Sequence, residues 1–292
     1  MKYRILFNPK ADSNHGKQEA EQLKDILKDA ELTFADICEI TDWKAYFSAL
    51  EPDEKTVICG GDGTVSRVAN YLYNQNLTIA DLPEIYYFAC GSGNDFLTDL
   101  GGKKGDAPVL LNPYLEKLPS AEIDGKDVYH FINGIGFGID GYCCEEGDRQ
   151  RAAGVKKINY TAIAIKGMLG KYSPRNAKVT VDGKEYSFKN VWLTPMMNGR
   201  YFGGGMMPTP NQDRLNKERT VSILIFSGRS RLLTLIKFPK IFSGEHLKFK
   251  NCVLMTGSDI TVEYDRPTSL QVDGETVLGV TKCRCRSWNL TH

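Results

Sequence analysis

The sequence predicts two domains, an α/β domain on a doubly wound, mostly parallel sheet followed by an antiparallel β-sandwich. Three observations lead there. At 292 residues the chain exceeds what one compact core usually fills. In its first third, short apolar runs alternate with stretches of helical period, and parallel strands need such crossovers. Beyond about residue 120 the texture changes to successive short β-type runs, interrupted by only two helical stretches. The Gly- and Pro-rich stretch 101–113 marks the start of a hinge. The expected domains are therefore 1–122 and 123–292, with the last residues able to pack back on the first domain.

Residues 3–7 are apolar and strand-like, and residues 17–30 carry Ala20, Leu23, Leu27 and Ala30 at helical spacing. A second strand is expected at 32–40, a helix at 42–50, a third strand at 55–59, and a helix at 65–75 with Val65, Val68, Ala69 and Leu72 inward. A fourth strand at 85–89 and a helix from Asp95 complete this half. Further strands are expected at 128–132, 178–181, 186–193, 220–226, 252–255, 260–264, 269–272 and 276–280, with helices at 156–171 and 230–242.

Hydrophobic residues at 41% and charged residues at 25% are the balance of a globular chain. A net charge of +1 supplies no field that would draw it onto nucleic acid, so no nucleic-acid partner is expected. No apolar run reaches the roughly 18 residues of a membrane span, and residues 1–8 are too short for a secretory core. A cytoplasmic protein is expected. The eight cysteines are scattered through strand-like runs and read as reduced core thiols.

Three polar, glycine-rich loops follow strands of the first domain. They are Asn8, Pro9 and Lys10 onward to Gly16; Gly60, Gly61, Asp62, Gly63 and Thr64; and Gly91, Ser92, Gly93, Asn94 and Asp95. In an open α/β sheet such loops share one edge, where ligands bind, and each also opens a helix whose N–H groups attract phosphate. Taken singly, each also reads as a tight strand-to-helix turn. Neither a P-loop nor a protein-kinase signature set occurs. Gly136 to Gly141 satisfies G-x-G-x-x-G but lies in the β-rich half, where close backbone packing is the expected role.

The segment from Val57 to Val65 resembles the G-G-D-G-T signature shared by diacylglycerol, sphingosine and ceramide kinases, NAD kinase and phosphofructokinase. Gly91 to Phe96 resembles the G-T-x-N-D-F block of bacterial diacylglycerol kinase-like lipid kinases, and Asn8-Pro9 their opening motif. Asn133 to Gly141, Asn198 to Gly205 and the closing Asp273-Gly274-Glu275 match further blocks in order. The resemblance implies an NAD kinase- and phosphofructokinase-like nucleotide domain, a β-sandwich lipid domain and an active site between them.

It further implies an ATP- and Mg2+-dependent kinase that phosphorylates a hydroxyl of diacylglycerol or a related lipid. Gly60 to Thr64 would cradle phosphates beside Asn8, Pro9, Lys10, Gly91, Ser92, Gly93 and Asn94, with Thr41 as a further nucleotide contact. Asp62 would act through a metal or help activate the hydroxyl; capping the next helix is its other reading. Asp95 would cap the helix from Phe96 or sit near the metal, and Glu275 would be the general base. A second magnesium is expected on Asp213 with backbone oxygens near Leu215, although Arg214 stands where the family has glycine. An NAD kinase-like enzyme and an inactive nucleotide- or lipid-sensing module are the alternatives.

Two basic segments flank apolar residues. Lys156, Lys157, Lys166, Lys171 and Arg175 accompany Ile158, Ile163, Ile165, Met168 and Leu169, while Arg229, Arg231, Lys237 and Lys240 accompany Leu232, Leu233, Leu235, Ile236 and Phe238. Both suit an anionic membrane surface, and both also suit helices packed on the sandwich. Peripheral association with the inner face of the membrane, and a homodimer, complete the expectations.

Overall fold

The structure, a computed structural model, describes residues 1–91, 93–155 and 158–291. The expectations placed on Ser92, Lys156 and Lys157 lie outside the described residues. Two compact units emerge, Met1–Leu118 and Pro119–His292. The division falls ahead of residue 122 because Ser120–Ile123 is already a strand of the second sheet.

Strands β1 (Lys2–Phe7), β2 (Glu31–Asp36), β3 (Glu54–Gly60) and β4 (Ile85–Ala89) of the first unit are parallel, in the order β2-β1-β3-β4. A two-residue strand β5 (Val109–Leu110) adds antiparallel to β4, where sequence periodicity has nothing to detect. β3 and β4 are buried along most of their length, as expected of parallel strands covered on both faces. Ile5, Val57, Cys59 and Phe88 pack with Ala20 and Leu23 on one side of the sheet.

The helix expected at 17–30 is instead α1 (Ala11–Asn14), α2 (Gly16–Glu21) and α3 (Leu23–Ile26). The run tightens at Gln22, whose N–H bonds the Glu19 carbonyl three residues back, at 3.3 Å. β2 stops at Asp36, short of residue 40, because the Asp36 carboxylate accepts from Cys38 N at 2.8 Å and starts a 3-10 turn. Asp42 caps α4 (Trp43–Ser48) through Ala45 N at 2.9 Å. α5 (Asp62–Asn74) buries Val65, Val68, Ala69 and Leu72 and starts directly at Asp62. α6 (Asp95–Asp99) and α7 (Asn112–Leu115) follow.

The second unit is one antiparallel sheet folded back on itself. Its strands are β6 (Ser120–Ile123), β7 (Asp127–His130), β8 (Gly134–Phe137), β9 (Arg175–Val181), β10 (Lys184–Leu193), β11 (Met196–Met197), β12 (Val221–Ser227), β13 (Cys252–Gly257), β14 (Asp259–Val272) and β15 (Glu275–Arg286). They run in the order β7-β6-β15-β14-β8-β11-β12-β10-β9, with β13 on β12. The strands expected at 260–264 and 269–272 are the two halves of β14. The first half pairs with β9 and the second with β8, across a register irregularity between Glu263 and Thr268. One bent strand thereby serves both sides of the sandwich.

Alternation along β12 separates two apolar layers. Ile223 and Ile225 face an inner core with Phe137 and Tyr264, whose rings stack at 4.4 Å. Leu224 and Phe226 turn the other way, towards Trp192, Ile163, Met168 and Ile241. Covering that outer layer are α8 (Ile139–Ala152), α9 (Tyr160–Lys166) with a π turn at Gly167–Lys171, and α10 (Arg231–Lys237). The helix expected at 230–242 passes into a 3-10 turn at Phe238–Ile241, where Pro239 lacks an N–H. α11 (Trp288–Thr291) ends the chain.

α8 has no counterpart in the sequence reading. It approaches β14 through Gly141, where an added Cβ would stand 2.0 Å from the Ser269 carbonyl oxygen. Gly136, in the same motif, leaves room for the Asp140 carboxylate, and Gly138 adopts φ 113°. Close backbone approach at Gly138 and Gly141, and the Asp140 side chain at Gly136, thus account for the glycines of the G-x-G-x-x-G run. Of the cysteines, Cys59, Cys90, Cys143, Cys252, Cys283 and Cys285 are buried, and none of the eight is paired.

Candidate functional site

β1, β3 and β4 are adjacent and parallel, so the loops after their C-terminal ends meet at one rim of the sheet. The chain leaves β1 towards β2 on one side and returns to β3 on the other, so the β1–β3 boundary is the topological switch point. Side chains join the loops there. Asn8 Nδ2 donates to Thr64 Oγ1 at 2.8 Å, while Asn8 Oδ1 accepts from Lys10 N at 3.0 Å. Pro9 lies in that same turn.

Three of the glycines here are required by neighbours within the protein. A Cβ on Gly60 would stand 2.4 Å from Thr64 Oγ1, and one on Gly91 would stand 2.5 Å from the Cα of Gly61. A Cβ on Gly61 would be crowded by Gly93 O at 3.2 Å. Gly63 and Gly93 differ, because, apart from their chain neighbours and, at Gly63, the backbone of its own helix, no atom lies within 4 Å of the place a Cβ would take, and neither has a positive φ. Packing and backbone conformation leave their glycine identity unexplained. The open backbone at both positions fits close approach by an anion beside the N-terminus of the 13-residue α5.

Asp62 links two of the loops. Its carboxylate accepts from Asp95 N at 2.7 Å and Phe96 N at 3.2 Å, so it caps α6 rather than the helix it begins. Asp95 is accordingly the first residue of α6 and not its cap, and it is buried. Asn94 Nδ2 donates back to the Gly91 carbonyl at 2.9 Å. Behind the rim, the Tyr87 hydroxyl reaches Gly60 O at 3.2 Å and Asn94 Oδ1 at 3.4 Å. Burial, and then the Asp62 charge, hold the Tyr87 phenol well above its usual value. It remains a donor. Burial, and then Cys90, likewise hold the Cys59 thiol up.

In the second unit, Asp273 and Gly274 form the turn between β14 and β15, with φ of 45° and 94° and Val272 paired with Glu275. These are the left-handed values of a type I′ hairpin. The Asp273 carboxylate accepts from Ile132 N (2.7 Å), Asn133 N (2.9 Å) and Gly134 N (3.0 Å). Glu275 follows at once, exposed, on a turn fixed to the strand beside it. Gln271 adds a second tie, accepting from Gly274 N at 2.5 Å and donating to the buried Asp140 at 2.8 Å. Asp273-Gly274-Glu275 is expected from the family resemblance, which misses both the triple amide contact and the Gln271–Asp140 link.

Arg214, read as a departure from the family, proves to be built in. It is buried and donates to Ile132 O at 3.1 Å and Asn133 Oδ1 at 3.3 Å, bracing the segment that Asp273 holds. Asn198 Nδ2 reaches the same Ile132 carbonyl at 2.9 Å.

Two expected contacts are not gathered into these sites. The carbonyl of Thr41 accepts from Gln75 Nε2 at 3.2 Å, which places Thr41 at the C-terminal end of α5. A helix of this length puts it about 20 Å from the glycine rim. At Asp213, one carboxylate oxygen accepts from Leu215 N at 2.9 Å and the carbonyl accepts from Asn216 Nδ2 at 2.7 Å. Among the described residues no group of three or more His, Cys, Asp or Glu could hold a metal ion. The residues around Asp213 therefore do not form a cage of protein carboxylates for magnesium. The other mode of magnesium binding, in which one or two carboxylates act together with nucleotide phosphates, needs no such cage, and Asp62 and Asp95 are the acidic residues joined at the rim.

Residues 2–121 match the diacylglycerol kinase catalytic domain, and residues 133–286 match the YegS C-terminal NAD kinase beta sandwich-like domain. The chain belongs to this diacylglycerol and YegS-type lipid kinase family. Among its relatives, the diacylglycerol kinase of Mycobacterium tuberculosis is 24% identical over 216 residues, covering 72% of this chain and 67% of that one. A Xanthomonas campestris protein named "Probable lipid kinase YegS-like" is 27% identical over 286 residues, covering 94% and 89%. A diacylglycerol kinase structure from Bacillus anthracis shares the fold, with a TM-score of 0.60 and 22% identity over 98% of this chain and 93% of that one.

Proposed function

We propose that the protein is an ATP-dependent lipid kinase that transfers the γ-phosphoryl group of ATP to a hydroxyl of diacylglycerol or a related lipid. The observation that carries this reading is the glycine rim, where Gly63 and Gly93 keep backbone open for no reason internal to the protein. Phosphoryl transfer asks a protein mainly for positioning and charge stabilisation. Gly61, Gly63 and Thr64 would present backbone and hydroxyl donors to the phosphates, with Asn8, Lys10, Gly91, Gly93 and Asn94 at the edge. Magnesium bound with the nucleotide neutralises phosphate charge, and Asp62 and Asp95 are the residues that would hold it.

Asp62 would also keep the second and third loops in register, since its carboxylate already holds the amides that open α6. Glu275 would take the proton of the acceptor hydroxyl, on a turn held still by Asp273. The lipid acceptor implies peripheral work at the inner face of a membrane. In keeping with that, no helix of the described residues is long and apolar enough to cross one.

Incubation with radiolabelled ATP, magnesium and, separately, diacylglycerol, phosphatidylglycerol, a sphingoid base and NAD tests the reading. Label on a lipid is the expected result. Label on NAD would move the assignment to an NAD kinase-like enzyme, and ATP binding without transfer to any acceptor would leave a sensing module.

A further inference from the structure

The outer helices of the second unit carry an apolar ridge between two basic hollows. α9 and its π turn leave Ile165 40% and Leu169 60% exposed, and α10 leaves Leu232 64%, Leu233 55% and Ile236 63% exposed. The two segments are side by side, because the Arg231 guanidinium donates to the carbonyls of Met168 at 3.0 Å and Tyr172 at 2.9 Å. A contiguous apolar surface of this kind is uncommon on a protein without a partner.

On one flank, a hollow of about 410 Å³ gathers Lys171, Arg175 and Arg266 around Tyr172. Its acidic lining residue, Glu145, is engaged by the Ser269 hydroxyl. Arg175 Nε is buried there with no hydrogen-bond partner, whereas the Tyr172 hydroxyl beside it is engaged by Thr268. Buried donors are normally satisfied, so an orphaned guanidinium N–H in a basic hollow points to an oxyanion. On the other flank, a hollow of about 460 Å³ is lined by Arg229, Lys237 and Lys250 with no acid among its lining residues, and Leu233 of the ridge forms part of its wall.

We propose that the ridge inserts into an anionic bilayer and that the two hollows seat the phosphates of anionic phospholipid headgroups, with Arg175 making the closer fit. The charge pattern selects this occupant, since apolar insertion flanked by cations on both sides complements an anionic leaflet. The inference rests on the lipid-kinase reading only for the reason the protein visits a membrane.

Co-sedimentation of the full chain with vesicles of phosphatidylcholine alone, or mixed with phosphatidylglycerol, tests it. Binding should be strong only on the mixed vesicles. Lys171→Gln with Arg266→Gln, both at exposed positions, should weaken it about fivefold per cation removed, equivalent to ~1 kcal/mol each. Leu232→Ser with Ile236→Ser should abolish it. Unchanged partition of the Lys171/Arg266 variant overturns the headgroup assignment. Calorimetric titration with inorganic phosphate, without vesicles, separates free from lipid phosphate; saturable binding that Arg175→Gln removes, beside unchanged vesicle binding, overturns the lipid source. Self-association lost in the Leu232/Ile236 variant would make the ridge an interface between copies and overturn membrane insertion. Phosphoryl transfer is followed in parallel in detergent micelles, where both variants should match wild type. Wild-type vesicle binding without any transfer would sink the kinase reading and leave the docking inference intact.

Discussion

Alanine at Gly91 and alanine at Gly63 should separate folding from nucleotide binding. At Gly91 the new Cβ would stand 2.5 Å from the Cα and 3.0 Å from the N of Gly61. Both obstacles are backbone, so the contact cannot be relieved by a rotamer change, and overpacking of this kind costs about 1–3 kcal/mol. In a domain of this size that is roughly 4 °C in Tm for each kcal/mol. At Gly63 the methyl would meet no atom within 4 Å beyond its chain neighbours and its own helix backbone, and the residue lies in the first turn of α5. Alanine there should leave stability unchanged or raise it by up to ~1 kcal/mol. The same methyl would fill the space a phosphate needs, and an affinity loss of tenfold or more, ~1.4 kcal/mol, is expected for ATP with magnesium. Thermal unfolding followed by calorimetric titration of each variant gives both quantities. If Gly63→Ala bound nucleotide as tightly as wild type, the rim would not be a phosphate cradle.

Glu275→Gln should lower turnover by roughly two orders of magnitude or more with ATP affinity unchanged, in a steady-state assay on the acceptor lipid; near-normal turnover removes it as the base. Asp273→Ala strands the amides of Ile132, Asn133 and Gly134. It should cost about 3 kcal/mol in denaturant unfolding, and a loss well under ~1 kcal/mol would mean those bonds are replaced by water. Asp259 is paired with Arg284 at 2.9 Å, and that hydrogen bond holds its carboxyl below the usual value. As the pH falls, the unfolded chain therefore takes up the proton first. The stabilisation is full above about pH 4 and is lost as pH drops through the lowered folded value. Arg284→Gln should flatten this acid limb in urea unfolding compared at about pH 3 and about pH 6, and an unaltered limb would refute the pairing.

Much of the first unit is legible in the sequence because parallel strands covered on both faces are continuous apolar runs. Residues 3–7, 55–59 and 85–89 stand out for that reason, and the loops behind them follow. α8 is not legible because it packs through Gly141 and Gly147, and hydrophobic periodicity does not register contacts made by the absence of a side chain. The bend in β14 is hidden for a related reason, since its halves look like separate strands until their partners β9 and β8 are known. Thr41 is expected at the nucleotide only from the family resemblance, which does not reveal which end of α5 it meets.

By itself the sequence determined which segments become strands and that three glycine loops follow strand ends, because both rest on local composition and period. Only the tertiary structure decided what the polar residues within those loops hold. Asp62 caps a helix 33 residues away, and Asp273 grips amides about 140 residues away. Hydrogen bonds across such separations leave no periodic trace in the chain, because they depend on strand order and not on spacing.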